Sequence, residues 1–423
     1  MKRIVMLLLM MFFISSITFP VRAEVSSPYL LIDGLNGQIL LSSVDEEPIA
    51  VGEVSQLMTI YVLEQAKKEG KWKGTDEVIL SNKVANVARE LTQSEEVPKH
   101  WQVGVTYQAS ELYALLLVEQ SPLAALALAE YVYGNDQDFL HHMEEEAKRL
   151  DLGYTRFANV MGVSNEALGK YHPQRRGPQD ESMMTVKGVG KLAYQLLQEF
   201  PHITEETKRA KGTIERNIPI PFQNPQLLIE EGNTSFATEG VNGLRVGHSK
   251  WSGYTNVATM KRGRYQWIAV SAASKNREET DTFLRQLFLE ETKKLREMEL
   301  LSPKEPLPFP WTHEKIGEKE IPLYVDQSIY APVFEDDTFY RLKWKPKNAV
   351  NPPLKKGTVV GTLELIQKNG ESLEYIDATH PIEVDVVVRE DVKRASFIEQ
   401  MSLTLQTFWQ RLLFQAKQLF ALT

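Results

Sequence analysis

The chain contains no cysteine in 423 residues. Disulfides, thiol catalysis, thiolate metal sites and a lipid-modified start are therefore excluded. Positive charge is in deficit: 48 Lys and Arg stand against 56 Asp and Glu, a net charge of −8. An acidic chain is a poor non-specific partner for nucleic acid, and no RNA- or DNA-binding motif is present. Metal-ligand spacing is nearly absent. His141 and Glu145 stand at i, i+4, but two ligands are too few, so neither a metal nor a cofactor is expected. Long apolar runs are scarce as well. Residues 4–17 form one, and it falls short of the roughly 20 residues that span a bilayer.

That run carries the first positive signal. Lys2 and Arg3 precede it, and Val21-Arg22-Ala23 follows with residues suited to cleavage. Residues 1–23 are read as a signal peptide, with the mature chain beginning at Glu24. Removing Lys2, Arg3 and Arg22 takes the charge from −8 to −11. The protein is expected outside the cytoplasm.

Hydrophobic periodicity divides the rest. Two short strands over 29–32 and 38–41 flank the turn Asp33-Gly34-Leu35-Asn36-Gly37. Helices are predicted over 54–68, 109–133, 137–150 and 184–199, the second apolar all round and hence a core helix. Strands follow over 241–245, 254–261 and 265–272, then a helix over 278–298. Helices enclosed by antiparallel strands imply an α+β domain over 24–300. Residues 301–310 hold four prolines and read as a linker. Beyond it, strands over 323–325, 339–342, 358–366 and 382–388 imply a small all-β domain over 311–390. The last region, 391–423, places Ile398, Met401, Leu405, Phe408, Trp409, Leu412, Ala416, Leu419 and Phe420 on one stripe. Five glutamines and three charged residues make 395–423 too polar to span, so an amphipathic helix lying on a membrane surface is expected.

Several segments, in order, resemble the low-molecular-mass penicillin-binding proteins, the serine D-alanyl-D-alanine carboxypeptidases of the cell wall. They are the opening at 31–40, Leu57-Met58-Thr59, the helix over 115–130, Phe157-Ala158-Asn159-Val160-Met161-Gly162, and Val241-Asn242-Gly243-Leu244-Arg245-Val246-Gly247-His248-Ser249. Pro352-Pro353-Leu354-Lys355-Lys356-Gly357 resembles the family's β domain, and the terminal helix is also a family feature. The resemblance implies a penicillin-binding fold, an antiparallel sheet with helices on both faces plus a helical cluster. It also implies peptidoglycan stem peptides as the substrate class.

The family's chemistry rests on Ser-x-x-Lys, Ser-x-Asn and Lys-Thr-Gly. By this resemblance Glu53 stands at the nucleophile, Gln56 at the base, Gln120 and Pro122 at the second motif, and Arg245 and Val246 at the third. No Ser-x-x-Lys occurs anywhere in the chain. Ser55 lies about 200° around the helix from Glu53 and should face away from the cleft; Ser121 is one residue out of register. The expected protein is a pseudoenzyme that binds wall peptide or a wall-synthesis protein. The alternative is an active or rebuilt carboxypeptidase in which Glu53 activates water. Arg245, Gly247 and His248 are the candidate substrate-binding residues. Arg245 could still hold a peptide carboxylate bidentately, or Glu53 could pair with it internally; the internal pair is the preferred expectation. Trp251 could line the cleft or cover the sheet edge.

Overall fold

A computed structural model describes residues 27–394, except 44–45, 95, 264, 293–294, 314–315, 317–318, 335–339, 349, 368–371 and 378–382. The segments read as a signal peptide and as a membrane-binding helix lie outside the described residues. Among the described residues no helix is long and apolar enough to cross a membrane.

The chain divides into two compact units. The first is built on a five-stranded antiparallel sheet in the order Val241–Ser249, Gly253–Arg262, Tyr265–Ser274, Tyr29–Asp33, Ile39–Ser42. Its inner strands are apolar runs with Leu30, Leu31, Ile32, Ile268, Ala269 and Val270 fully buried, as a sheet covered by other elements requires. Val241–Ser249 is an edge strand. Its partner register, Arg245 opposite Val257 and Gly247 opposite Thr255, leaves alternate N–H groups facing away from the sheet.

Helix Gln56–Lys68 is the hub of the helical cluster. Ten of its thirteen residues are buried, and it packs against helices Pro122–Tyr133, Asp136–Arg149 and Val186–Glu199. Its buried polar residues, Gln56, Thr59 and Glu64, are each hydrogen-bonded, as burial requires. Helix Val186–Glu199 also packs on the strands Tyr265–Ser274 and Tyr29–Asp33.

Two predicted helices differ from the structure. The expected continuous helix over 109–133 is broken into Ala109–Ala114, a π-helical turn Leu115–Glu119, and Pro122–Tyr133. Gln120 between them takes a left-handed conformation with φ 62°. Proline has no N–H to give and is favoured at the first helical position, so Pro122 starts a new helix instead of extending the old one. The expected helix over 278–298 is also shorter. Arg277–Gln286 is helical and Leu287–Glu291 π-helical, but Leu295–Leu301 is a strand paired with Ile329–Phe334. Strand pairing begins before the prolines of 301–310, so the second unit starts earlier in the chain than the proline signal suggests.

The second unit is all-β. Its four-stranded sheet runs Leu323–Val325, Glu383–Val388, Val359–Gln367, Tyr340–Pro346. Val384, Val386 and Val388 point into its core with Leu323, Val325, Leu363 and Leu365, the period-two pattern of a half-buried sheet.

Candidate functional site

The three segments that carry the candidate site residues meet. Glu53 lies in a short 3-10 turn, Gly52–Ser55, that leads directly into helix Gln56–Lys68. That turn packs flat on the edge strand. A side chain at Gly247 would place its Cβ 2.4 Å from the Val51 carbonyl oxygen and 2.9 Å from the Glu53 nitrogen, so only glycine allows this backbone-to-backbone contact. Gly162 does the same from the other side: its Cβ would fall 2.7 Å from Glu53 Cα, and its φ is +76°.

Gln56 is fully buried and joins the three segments. Its Nε2 donates to the Met161 carbonyl at 2.5 Å and to the Gln120 carbonyl at 3.3 Å. Its Oε1 accepts from Arg245 Nη1 at 3.0 Å. The Met161 carbonyl is set by Asn159, whose Oδ1 accepts from Met161 N and whose Nδ2 donates to Val163 O and Asn165 Oδ1. A lysine at position 56 would lie against Arg245, two buried cations in contact.

The outward N–H groups of the edge strand are occupied. Val246 N donates to Gln120 Oε1 at 3.3 Å, and His248 N donates to Glu53 Oε2 at 2.9 Å. These are the groups on which an extended peptide would dock as an added strand. The side chains of Glu53 and Gln120 thus occupy the places a docked strand would take.

The expected Glu53–Arg245 ion pair is not formed. Arg245 is fully buried, donating to Gln56 Oε1 and to the Leu116 carbonyl at 2.9 Å. Side chains alternate along a strand, and position 245 points beneath the cleft while the neighbouring outward N–H of His248 takes the Glu53 carboxylate. For the same reason Arg245 does not border the cavity and offers no fork to a ligand there. Burial draws its pKa down to about 9, against the opposing pull of Tyr113 and Glu53. Glu53 moves the other way: burial raises its pKa, and the hydrogen bond from His248 N only partly offsets this.

A cavity of about 240 Å³ remains above this floor. Of the expected site residues, Glu53, Gln120, Pro122, Val246, Gly247 and His248 border it; Gln56 and Arg245 lie below. Ser55 is buried and donates to the Gly52 carbonyl at 2.8 Å, facing away as its helical position requires. Ser121 and Trp251 do not border the cavity; Trp251 stands 55% exposed. No serine, threonine or lysine is in the wall. Outside the cleft, His141 meets Glu145 at 3.2 Å on an exposed helix face.

Two bordering residues escaped the sequence reading. Arg277, at the start of the helix after the sheet, is bonded to the Pro225 carbonyl and pairs with Asp281 at 3.3 Å. Glu119, the last residue of the π-helical turn, has no hydrogen bond or ion pair among the described residues, and burial raises its pKa. The only sequence hint for Glu119 was an acid in the middle of the apolar stretch 112–129, next to a Ser-Pro break.

Comparison with known proteins agrees with this geometry. Residues 18–276 match the family model of D-alanyl-D-alanine carboxypeptidases, and residues 312–394 match that of the penicillin-binding protein 5 C-terminal domain. The chain belongs to the D-alanyl-D-alanine carboxypeptidase family. It is 24% identical to the D-alanyl-D-alanine carboxypeptidase DacF of Bacillus subtilis over 378 residues, 89% of this chain and 88% of DacF. It is 26% identical to DacC of Escherichia coli over 377 residues, 87% and 84% of the two chains. Among solved structures it resembles a peptidoglycan synthesis regulatory factor (PBP3) from Streptococcus pneumoniae, with TM-score 0.67, 19% identity and coverage of 86% and 98%. It also resembles penicillin-binding protein 5 from Haemophilus influenzae, with TM-score 0.62, 18% identity and coverage of 86% and 97%. The fold is therefore that of the penicillin-binding proteins, with an all-β C-terminal domain.

Proposed function

We propose that this chain is a non-catalytic member of its family, a cell-envelope protein that binds peptidoglycan stem peptide or a wall-synthesis protein as a scaffold or regulator. One observation carries the reading: the cavity at the family's catalytic position has no serine, threonine or lysine in its wall. A serine-type acyl-enzyme needs a hydroxyl nucleophile with a base within hydrogen-bond reach, and neither Glu53 nor Gln56 carries a hydroxyl. In this reading Gly247 and His248 border the bound peptide, and Arg245 supports the floor from below. Residues 1–23 direct export, and residues 395–423 hold the protein to the extracytoplasmic face of the membrane.

A second reading keeps an enzyme, with Glu53 as general base. Its raised pKa favours this role. Against it, the carboxylate already accepts the His248 N–H. Both readings meet one pair of assays. Incubation with a fluorescent penicillin should leave no SDS-resistant adduct, and a synthetic stem pentapeptide should release no D-alanine. Co-sedimentation with purified cell walls should retain the protein. A stoichiometric adduct, or D-alanine release that Glu53→Gln abolishes, would end the non-catalytic reading.

A further inference from the structure

Glu119 borders two cavities at once. One is the 240 Å³ cleft; the other, of about 700 Å³, is bordered also by Lys99, Trp101, Arg216 and Ile218. Among the described residues the Glu119 carboxylate has no hydrogen bond and no ion pair, while the nearby cations are engaged. Arg277 is paired with Asp281 and bonded to Pro225. Arg216 pairs with Glu111 at 2.8 Å and lies 3.9 Å from the centre of the Tyr107 ring. Arg245 is sealed beneath the floor. Lys99, at the surface rim of the second cavity, and the imidazoles of His100 and His248 are the remaining basic side chains of the two walls. A half-buried carboxylate without a counter-charge is unfavourable in the empty protein.

The adjacent residue is unsatisfied too. Gln120 is 5% exposed and borders the cleft; its Oε1 accepts from Val246 N, and its Nε2 has no acceptor. The bond to Val246 fixes which end of the amide is which, so the orphan is a donor. A π-helical turn and a left-handed φ of 62° at Gln120 place both side chains there. Such insertions and strained residues concentrate at functional sites.

We propose that Glu119 and Gln120 form a receptor for a peptide bearing a primary ammonium, with the ammonium at the Glu119 carboxylate and, once the Gln120 side chain turns toward the cleft, a peptide carbonyl on its Nε2, which is buried in the empty protein. A diamino acid within a peptide supplies both groups. The proposal deepens the reading of the cleft as a peptide site and rests on it. It also inverts the cleft's preference: the basic side chain of the ligand, rather than its terminal carboxylate, is the charge that is recognised.

The test uses two probe pairs with the full chain. The first is L-Ala-γ-D-Glu-L-Lys-D-Ala-D-Ala and its Nε-acetyl form. The second is Nα-acetyl-L-lysine methylamide and its Nε-acetyl form. Affinities are read by calorimetry for the first pair and ligand-observed NMR for the second. A charged hydrogen bond in a half-buried site should make each free amine bind about tenfold more tightly than its acetylated twin. Glu119→Gln should erase that preference, and Glu231→Gln, an exposed control, should keep it. If the pentapeptides bind with no preference, the ammonium receptor falls and the peptide-binding reading stands. If only the lysine methylamide shows the Glu119-dependent preference, the receptor stands and the stem-peptide reading falls. A preference that survives Glu119→Gln, or no binding by any probe, overturns the proposal.

Discussion

On the buried side of the cleft, Gln56 uses both ends of its amide: two carbonyls receive its N–H groups and Arg245 gives to its oxygen, although Arg245 Nε and Nη2, sealed from any ligand, have no acceptor among the described residues. On the open side, among the described residues, Glu119 uses neither oxygen and Gln120 leaves its nitrogen idle. The two sides therefore answer different questions. A polar group whose bonds are all made within the protein maintains the fold. A polar group held in place but left unbonded has capacity for something else. At positions 53 and 56 the side-chain bonds run within the protein, and the proposed binding group, Glu119, stands beside Gln120 on the open side.

If the buried side is structural, its loss should cost the most. Gln56→Ala would strip the Met161 and Gln120 carbonyls of their donor and leave the Arg245 charge with one acceptor. Removing one partner of a buried charged group costs about 3–5 kcal/mol, and urea unfolding should show a loss of that order. A loss under 1 kcal/mol would mean that the floor relaxes, and the contrast between the two sides would fail.

Gly247→Ala comes next. Its Cβ would meet backbone atoms of residues 51, 53 and 54 at 2.4–2.9 Å, and backbone cannot swing aside as a long side chain can. Overpacking of this kind costs about 1–3 kcal/mol. The strand and the Gly52–Ser55 turn must then part, so the His248 N–H should also lose its protection against hydrogen exchange. Unchanged protection would show that the turn is not held by this contact.

Glu53→Gln should act through pH. Burial holds the folded pKa of Glu53 above its unfolded value of 4.5, so the native state binds that proton more tightly. The stability from this group is full below the unfolded pKa and is lost as pH rises through the folded pKa. The glutamine variant, which cannot titrate, should lack this decline. Relative to wild type it should gain stability from pH 4.5 towards neutrality, if its oxygen keeps the His248 N–H. A difference that does not change with pH would place the Glu53 carboxylate in water instead.

Much of the architecture was legible in the sequence: the first hairpin, the periodic hub helix, the three-strand run from 241 and the alternating valines of 384–388. The site was legible to the extent that its residues came together as the motif order implies. Ser55 turned away because two residues of the 3-10 turn carry it about 240° from Glu53, close to the roughly 200° of an α-helix. What failed had a common cause. Opposite charges suggested that Glu53 and Arg245 should pair, but the strand sends position 245 below the cleft and leaves a nearer backbone donor for Glu53. The break at Gln120 was signalled by Ser121-Pro122, a cap followed by a helix-starting proline, yet the apolar run on both sides masked it. Arg277 and Glu119 carried no motif; only the folded chain shows that they border the cleft.

The smallest effect on stability is expected at Glu119, and its smallness is the point. Glu119→Gln breaks no hydrogen bond or ion pair among the described residues, and it removes a carboxylate that burial disfavours. Surface-like changes of this kind stay within about 0.5 kcal/mol, and here the sign should be stabilising near neutral pH. Glutamine at 119 has nearly the same shape, so packing against the two cavities should persist. The variant would then match or exceed wild type in thermal melting while losing its preference for a free amine. A residue whose removal leaves the fold untouched and the ligand preference changed is a binding residue. A destabilisation of 2 kcal/mol or more would instead mean that Glu119 has a structural partner, and the two sides of the cleft would no longer differ in kind.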